Sequence, residues 1–217
     1  MAKILITSGP TRQYLDPVRY LTNSSSGKMG VALCEAALDL GHEVIVVTGP
    51  VGVDYPCAAR RIDVVTTSEM LRASREMFAD CDGLIGAAAP CDYRPVRVAD
   101  QKIAKTGAPL MLELWETEDI VATLGAEKRD DQWTVGFALE TEDPRFRAIT
   151  KLERKSCDLI VLNGPEAMNS DTNSVEILGP GGELFGSSQG TKPTVAQAIL
   201  DVIQSHLIAS FHKNDKL

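Results

Sequence analysis

Glu43-Val44-Ile45-Val46-Val47-Thr48 holds four β-branched apolar residues in a row. A run that is apolar on both alternating faces fits a strand covered on both sides, as a parallel sheet between helix layers requires. Leu159-Ile160-Val161-Leu162 repeats the pattern far along the chain. Working outward, strands are expected at Ile4–Thr7, Glu43–Thr48, Arg61–Val65, Gly83–Ala88, Thr134–Leu139 and Asp158–Leu162. Helical periodicity falls between them, over Met29–Leu40, Ser68–Ala79, Asp119–Ala126 and Arg145–Ser156. A last helix is expected over Pro193–Ile208, since proline is tolerated in a first turn. Alternating strands and helices predict βαβ units, and so an α/β fold: a Rossmann-like, doubly wound, mainly parallel sheet with helices on both faces. Asp92–Gly107 breaks the rhythm and reads as a long loop over the site. Asn163–Gly190 reads as a small C-terminal hairpin excursion around Ser174–Leu178 and Glu183–Phe185.

Composition narrows the function classes. At 217 residues one core can bury most of its apolar surface, so one domain over residues 1–217 is expected. Aromatics are only 5%, which leaves Val, Ile, Leu and Ala to build the core. A net charge of −8 argues against a general partner role with nucleic acid or membrane surfaces, so any anion site must work locally against the global field. No stretch approaches the ~18–20 apolar residues of a membrane span, and Met1-Ala2-Lys3 does not open a signal peptide. Cys34, Cys57, Cys81, Cys91 and Cys157 are odd in number, dispersed and without a Cys-x-x-Cys pair, which points to reduced thiols and a cytoplasmic setting. His42, His206 and His212 lack zinc-ligand spacing. The tail around Lys213–Lys216 is expected to fray.

In open α/β sheets ligands sit beyond the carboxyl ends of the strands, so the loops after each strand carry the chemistry. After the first strand come Ser8-Gly9-Pro10-Thr11-Arg12 and then Asn23-Ser24-Ser25-Ser26-Gly27-Lys28-Met29-Gly30 before an apolar helix. Free N–H groups, hydroxyls and a helix dipole there make a phosphate seat. A plain loop with a serine N-cap accounts for the segment equally well. No Walker or Gly-x-Gly-x-x-Gly pattern is present, and the second strand ends in Thr48-Gly49 where a dinucleotide binder wants an acid. After the fourth strand, Ala87-Ala88-Ala89-Pro90-Cys91-Asp92 admits a ligand close to the backbone. Asp92 suits a magnesium bridging phosphates; an Asx-type turn is the first explanation of it in isolation. Lys102, Lys105, Lys151 and Lys155 follow the fourth and fifth strands, the last two on one helix face. Phe137 stands at a carboxyl strand end, where it either stacks on a base or fills volume. Cys91 has no histidine nearby in sequence and reads as packing rather than nucleophile.

Taken together, these motifs resemble the phosphopantothenate–cysteine ligase family, in many bacteria the C-terminal half of a bifunctional coenzyme A biosynthesis flavoprotein. The most specific stretch is Asp16-Pro17-Val18-Arg19-Tyr20-Leu21-Thr22-Asn23 running on to Gly30. Asp92-Tyr93-Arg94-Pro95, Lys102, Gly136-Phe137-Ala138-Leu139-Glu140-Thr141, Lys151 to Lys155, Asp158–Asn163 and Asn169-Ser170-Asp171 support it. The resemblance implies that 4′-phosphopantothenate and L-cysteine are joined at the cost of CTP, through an acyl-cytidylate. It implies catalytic roles for Asn23 and Lys102, with Asn23 orienting the carboxylate and Lys102 neutralising the leaving pyrophosphate. Gly9, Arg19, Asn23, Ser25, Ser26, Gly27 and Gly30 would hold phosphopantothenate. Gly86, Ala87, Ala88, Asp92, Lys102, Glu118, Asp119, Ile120, Val121, Phe137, Lys151 and Lys155 would hold the nucleotide, with Asp92 on Mg2+. It further implies a homodimer with its site completed across the interface, no flavin in this chain, and a separate flavin-dependent decarboxylase as a further partner. The chain would be either a stand-alone ligase or an excised domain.

This chain departs from the family pattern. Pro90-Cys91 stands where Val-Ala is usual, Ala104 where Lys is usual, Ser24 where Arg is usual, and Thr117-Glu118 where Asn-Pro is usual. The lost positive charge bears on nucleotide preference more than on the reaction. The rival readings are a short-chain-type NAD(P) oxidoreductase and a non-catalytic nucleotide-binding homologue. The first is opposed by the missing glycine pattern and by the absence of a Tyr-x-x-x-Lys pair.

Overall fold

The structure is a computed structural model that describes residues 1–140, 142–164 and 172–209. Thr141, the Asn169-Ser170-Asp171 segment and the tail with His212 lie outside the described residues. Among the described residues, twelve strands and five α-helices follow one another along the chain. The main sheet has eight strands: β1 (Lys3–Ser8), β4 (Glu43–Thr48), β5 (Arg60–Asp63), β6 (Gly83–Gly86), β9 (Trp133–Leu139), β10 (Leu159–Asn163), β11 (Thr172–Leu178) and β12 (Leu184–Thr191). Their spatial order is β12-β11-β10-β9-β6-β1-β4-β5. The six strands from β5 to β10 run parallel, in the doubly wound order, with the reversal between β1 and β6.

Alternation along the central strands sorts the core into two faces. Ile4, Ile6, Val44, Val46, Ile85, Trp133 and Val135 pack on one side beneath α1 (Lys28–Asp39) and α5 (Lys192–Ile203). Leu5, Ile45, Val47 and Leu84 face α2 (Thr67–Phe78) and α3 (Ile120–Glu127) on the other. Beside them Ala138, Ile160 and Leu162 meet α4 (Pro144–Arg154). Unbroken apolar runs thus serve strands buried on both sides.

Local chemistry explains most boundaries. α2 opens with a capping box, Thr66 accepting from Glu69 N–H while Glu69 reaches back. Asp119 is the N-cap of α3 rather than its first residue. α4 stops at Arg154 and Ser156 turns left-handed, φ 52°, short of the expected end. α5 passes into a π turn over Gln204–Ile208 instead of continuing as regular helix. β5 ends at Asp63, and the Val65 carbonyl instead accepts from Arg12 N–H at 2.8 Å. β6 ends at Gly86, two residues early, because its pairing with β9 stops there.

Three expectations are corrected. The C-terminal hairpin is no excursion: β11 pairs antiparallel with β10, so the hairpin extends the main sheet by two strands. Asp92–Gly107 is not all loop, since β7 (Tyr93–Pro95) pairs with β8 (Leu114–Glu116) at the base of an arm. β2 (Arg12–Tyr14) and β3 (Tyr20–Thr22) form a hairpin unforeseen in the sequence, with Tyr14 edge-on to Tyr20 and Arg12 over the Tyr20 ring. Three-residue strands carry too little periodicity to be read, and tertiary docking supplies what they lack.

His42 follows the left-handed Gly41 that ends α1, and is buried with Nδ1 accepting from Ala2 N–H at 3.2 Å. Burial lowers its pKa, outweighing Gln204 and Asp82. The unfolded chain therefore binds more protons just below the usual value of about 6.5. The associated stability is full above that value and is lost as the pH falls through the folded pKa. Urea midpoints should drop as the pH falls below about 6.5 in wild type, and His42→Gln should flatten that slope; equal slopes would remove the assignment.

Candidate active site

At the reversal point the chain leaves β1 and β6 side by side, and a crevice opens beyond their carboxyl ends. Pairing continues past the sheet here. Ala87 N–H donates to the Thr7 carbonyl (3.1 Å), Ala89 N–H to the Gly9 carbonyl (2.9 Å), and Pro10 bridges to Ala89. This ridge divides the crevice into two cavities of about 350 Å³ each. Ala88 and Phe137 line both.

The first cavity lies on the α1/α5 face and is floored by Asn23, Ser24, Ser25, Ser26, Gly27 and Gly30. Gly27 caps α1 in the left-handed region, φ 77°, with no side-chain cap, so the serine N-cap is ruled out. Ser26 Oγ accepts from Lys28 N–H at a long 3.5 Å, and the remaining first-turn N–H groups and the positive end of the helix dipole face the cavity. Gly30 is required by close approach: a Cβ there would lie 1.9 Å from Ser8 Oγ. Asn163, Asn173 and Lys192 form the far wall. None of the three was given a site role in the sequence, because β10, β11 and α5 are brought together here only by the tertiary fold. Asn163 Oδ1 is buried and, among the described residues, has no hydrogen-bond partner, an acceptor left for a ligand.

The second cavity lies on the α3/α4 side. Gly86, Pro90, Asp92, Glu118, Asp119, Ile120 and Val121 line it, together with Arg154 and Lys155. Asp119 accepts from Ala122 N–H at 3.1 Å, and pairs with Lys155 at 3.1 Å and with Arg154 at 3.7 Å. Lys155 thus stands at the cavity, and Arg154 joins it. Lys151 does not: it pairs at 2.5 Å with buried Glu140 at the end of β9 and lines neither cavity. Sharing a helix face with Lys155 settles which way both stems leave α4, and the nearest carboxylate then decides where each ammonium ends.

Asn23 joins the two halves. Its Nδ2 donates to the Pro90 carbonyl at 2.7 Å, tying the loop before α1 to the loop after β6. Beneath, Thr11, Thr67 and Thr117 hold the turn: Cys91 N–H donates to Thr11 Oγ1 (2.8 Å), and Thr67 and Thr117 hydroxyls donate to the Cys91 carbonyl (3.1 and 2.6 Å). Cys91 is itself buried, and burial pushes its thiol up. Cys34 is raised to about 12 and Cys81 and Cys157 to about 11 by the same cause, which leaves these thiols protonated at neutral pH.

Gly9 shapes the ridge with φ 70° and lines neither cavity wall. Arg19 and Lys102 also line neither. Arg19 is bound to the Asp16 carboxylate at 3.0 Å and to the Ile103 carbonyl, and Lys102 is exposed on the arm. Asp92 is exposed at the second cavity, its carbonyl accepting from Thr117 N–H at 2.8 Å. Among the described residues no group of three or more His, Cys, Asp or Glu is placed to hold a metal. Thr48 ends β4 with its hydroxyl bonded to the Gly49 carbonyl and Tyr55, so no acid stands where a dinucleotide's ribose would need one.

The fold and this divided crevice define a Rossmann-like α/β protein with one cavity over the N-terminus of α1 at its switch point and a second, cation-bearing cavity across the ridge. Within that class, the chain belongs to the DNA/pantothenate metabolism flavoprotein C-terminal domain family, whose model matches residues 1–207. It is 41% identical over 208 residues to the coenzyme A biosynthesis bifunctional protein CoaBC of Vibrio vulnificus strain YJ016, covering 93% of this chain and 52% of that protein. The Bacillus subtilis protein of the same description is 44% identical over 179 residues, 80% of this chain and 44% of that one. A crystal structure of the C-terminal domain of CoaBC superposes with a TM-score of 0.80 at 37% identity, covering 96% of each chain. The chain spans about half the length of the curated relatives it matches. Among the described residues no helix is long and apolar enough to cross a membrane.

Proposed function

We propose that this chain is a phosphopantothenate–cysteine ligase of coenzyme A biosynthesis, the activity that its likeness to the C-terminal half of CoaBC proteins suggests. The observation that carries the reading is the pair of cavities sharing the Ala88–Phe137 wall, with Asn23 reaching across to Pro90. A reaction that activates one substrate with another needs such a junction.

In this reading 4′-phosphopantothenate lies in the first cavity with its phosphate on Ser25, Ser26, Gly27 and the α1 terminus. CTP lies in the second, its base against Phe137 and the backbone of Gly86–Ala88 and Glu118–Val121. Arg154 and Lys155 supply positive charge, a role that passes to Arg154 from Lys151. The pantothenate carboxylate attacks the α-phosphorus, the bond to pyrophosphate breaks, and an acyl-cytidylate forms. The cysteine amine then attacks the acyl carbon, CMP leaves with the bonding electrons, and the amine proton goes to solvent. Asn23 donates to the oxyanion of that second step. Asp92, a single exposed carboxylate at the second cavity, would hold a Mg2+ there. Bound there, the ion supplies charge neutralisation at the triphosphate.

The arm between β7 and β8 supports a homodimer. Met111 and Trp115 are 88% and 60% exposed, alongside Tyr93, Leu110 and Leu114, an apolar surface that a second copy would cover. Arg19 and Lys102 lie on or against this arm and outside their own chain's cavities, as a site completed across an interface requires. All five cysteines are free, which supports a reducing, cytoplasmic setting. No flavin is assigned to this chain, and a separate flavin-dependent decarboxylase would supply the preceding step.

The test is pyrophosphate release with magnesium and phosphopantothenate, offering CTP or ATP, with and without cysteine. Release with CTP and cysteine-dependent formation of CMP and the amide are expected; no release with either nucleotide from folded protein would overturn the reading. Lys102→Gln should slow the pyrophosphate step about tenfold to a hundredfold, the worth of a charge-assisted hydrogen bond, and leave the amide step alone in single-turnover assays. A normal first step would take Lys102 out of the chemistry.

A further inference from the structure

Asp16 stands at the tip of the β2–β3 hairpin, outside both cavities, with its side chain fully buried. Its Oδ1 accepts from the N–H groups of Val18 and Arg19, both at 2.8 Å. That much closes a hairpin turn. Its Oδ2 does something else. It accepts from Ile103 N–H at 3.1 Å and faces the Arg19 guanidinium at 3.0 Å, so it reaches 87 residues along the chain into the arm. Arg19 also donates to the Ile103 carbonyl, and Ala99 N–H donates to the Leu15 carbonyl at 2.9 Å. Both backbone groups of Ile103 are therefore held by this cluster, and Lys102 is its immediate neighbour.

Burying a carboxylate is costly unless its oxygens are satisfied. Here burial is outweighed by the three backbone N–H groups and Arg19, which hold the carboxyl below its usual range and keep it ionised at neutral pH. The fully satisfied charge makes the join between arm and hairpin stiff. β3 leads from the same cluster straight to Asn23. One side chain thus connects the amide at the ridge, through β3, with the lysine on the arm, through Ile103.

We propose that Asp16 is a positioning residue for the ligase reaction, latching the arm to the β2–β3 hairpin so that Lys102 and the Arg19 guanidinium are presented in one fixed arrangement to the site that two copies complete. The role rests on the reading above. Asp16→Asn keeps one carbonyl oxygen for the hairpin turn, but its amide nitrogen can neither accept from Ile103 nor pair with Arg19. Ile103→Pro removes the arm's donor and leaves Asp16 untouched. In limited trypsin digestion followed by mass spectrometry, both variants should be cut at Lys105 about tenfold faster than wild type, the loss of one charge-assisted bond. Their kcat for pyrophosphate release should fall about tenfold, with KM for CTP changing less than about threefold because the second cavity is not touched.

Unchanged cleavage at Lys105 in folded Ile103→Pro overturns the latch, even where Asp16→Asn fails to fold. Faster cleavage with an unchanged kcat overturns the positioning role. Wild-type protein that releases no pyrophosphate overturns the ligase reading and the role with it, while the cleavage comparison still decides the latch.

Discussion

Asn23→Asp should slow cysteine-dependent amide formation by roughly 10²–10³-fold, the range for losing one preorganised oxyanion donor, while pyrophosphate release stays within a few-fold of wild type. The substitution keeps shape and removes both N–H donors. In the wild type one of them is used on the Pro90 carbonyl at 2.7 Å, which fixes the amide at the ridge and leaves the second hydrogen for the reacting oxygen. A carboxylate there places negative charge against a carbonyl and against the developing oxyanion. Rapid-quench assays with and without cysteine separate the two steps. Equal losses in both would make Asn23 a binding residue; no loss in either would remove it from the site.

Gly30→Ala should have the second large effect, and in the direction opposite to helix propensity. Alanine in a helix normally stabilises over glycine by about 1 kcal/mol. Here the new Cβ would meet Ser8 Oγ at 1.9 Å and Ser8 Cβ at 2.5 Å. Ser8 cannot withdraw, being fully buried in β1 with Tyr55 hydroxyl donating to its Oγ at 2.7 Å. Overpacking of this kind costs about 1–3 kcal/mol, and the start of α1 must lift away from the sheet. Since an ångström of misplacement can cost about 10²-fold in rate, kcat/KM for phosphopantothenate should fall by at least that much. Calorimetric binding of phosphopantothenate, alongside the melting temperature, checks it. An unaltered affinity in folded protein would show that the α1 terminus does not seat the phosphate.

The reading of Arg19 and the lysines shows where sequence stops. Lys151 and Lys155 are equivalent by spacing, yet Lys155 serves the second cavity and Lys151 a buried glutamate. Arg154, given no role in the sequence, stands at the cavity as well. Arg19 belongs to the most specific stretch of the chain and is nevertheless held by Asp16 and Ile103 rather than by either cavity. Asn163 ended a quoted stretch without a role, and Asn173 and Lys192 carried no motif, because each comes from a separate element and the sheet alone brings them together.

What sequence determined by itself is local and periodic. Unbroken apolar runs at Val44–Val47 and Leu159–Leu162 required strands covered on two faces, and alternation with helical periods required crossovers, so the doubly wound sheet followed. The run from Asn23 to Gly30 marked the floor of the first cavity, because glycines and small polar residues before an apolar helix let the chain close tightly over β1. Only the tertiary structure decided that pairing of Pro10 with Ala89 would split the crevice, that the hairpin would extend the sheet, and that Asp16 would close on Ile103. These are contacts between segments far apart in the chain. Their geometry depends on sheet order and on the directions of side chains leaving packed elements, and neither is written in the spacing of residues along the chain.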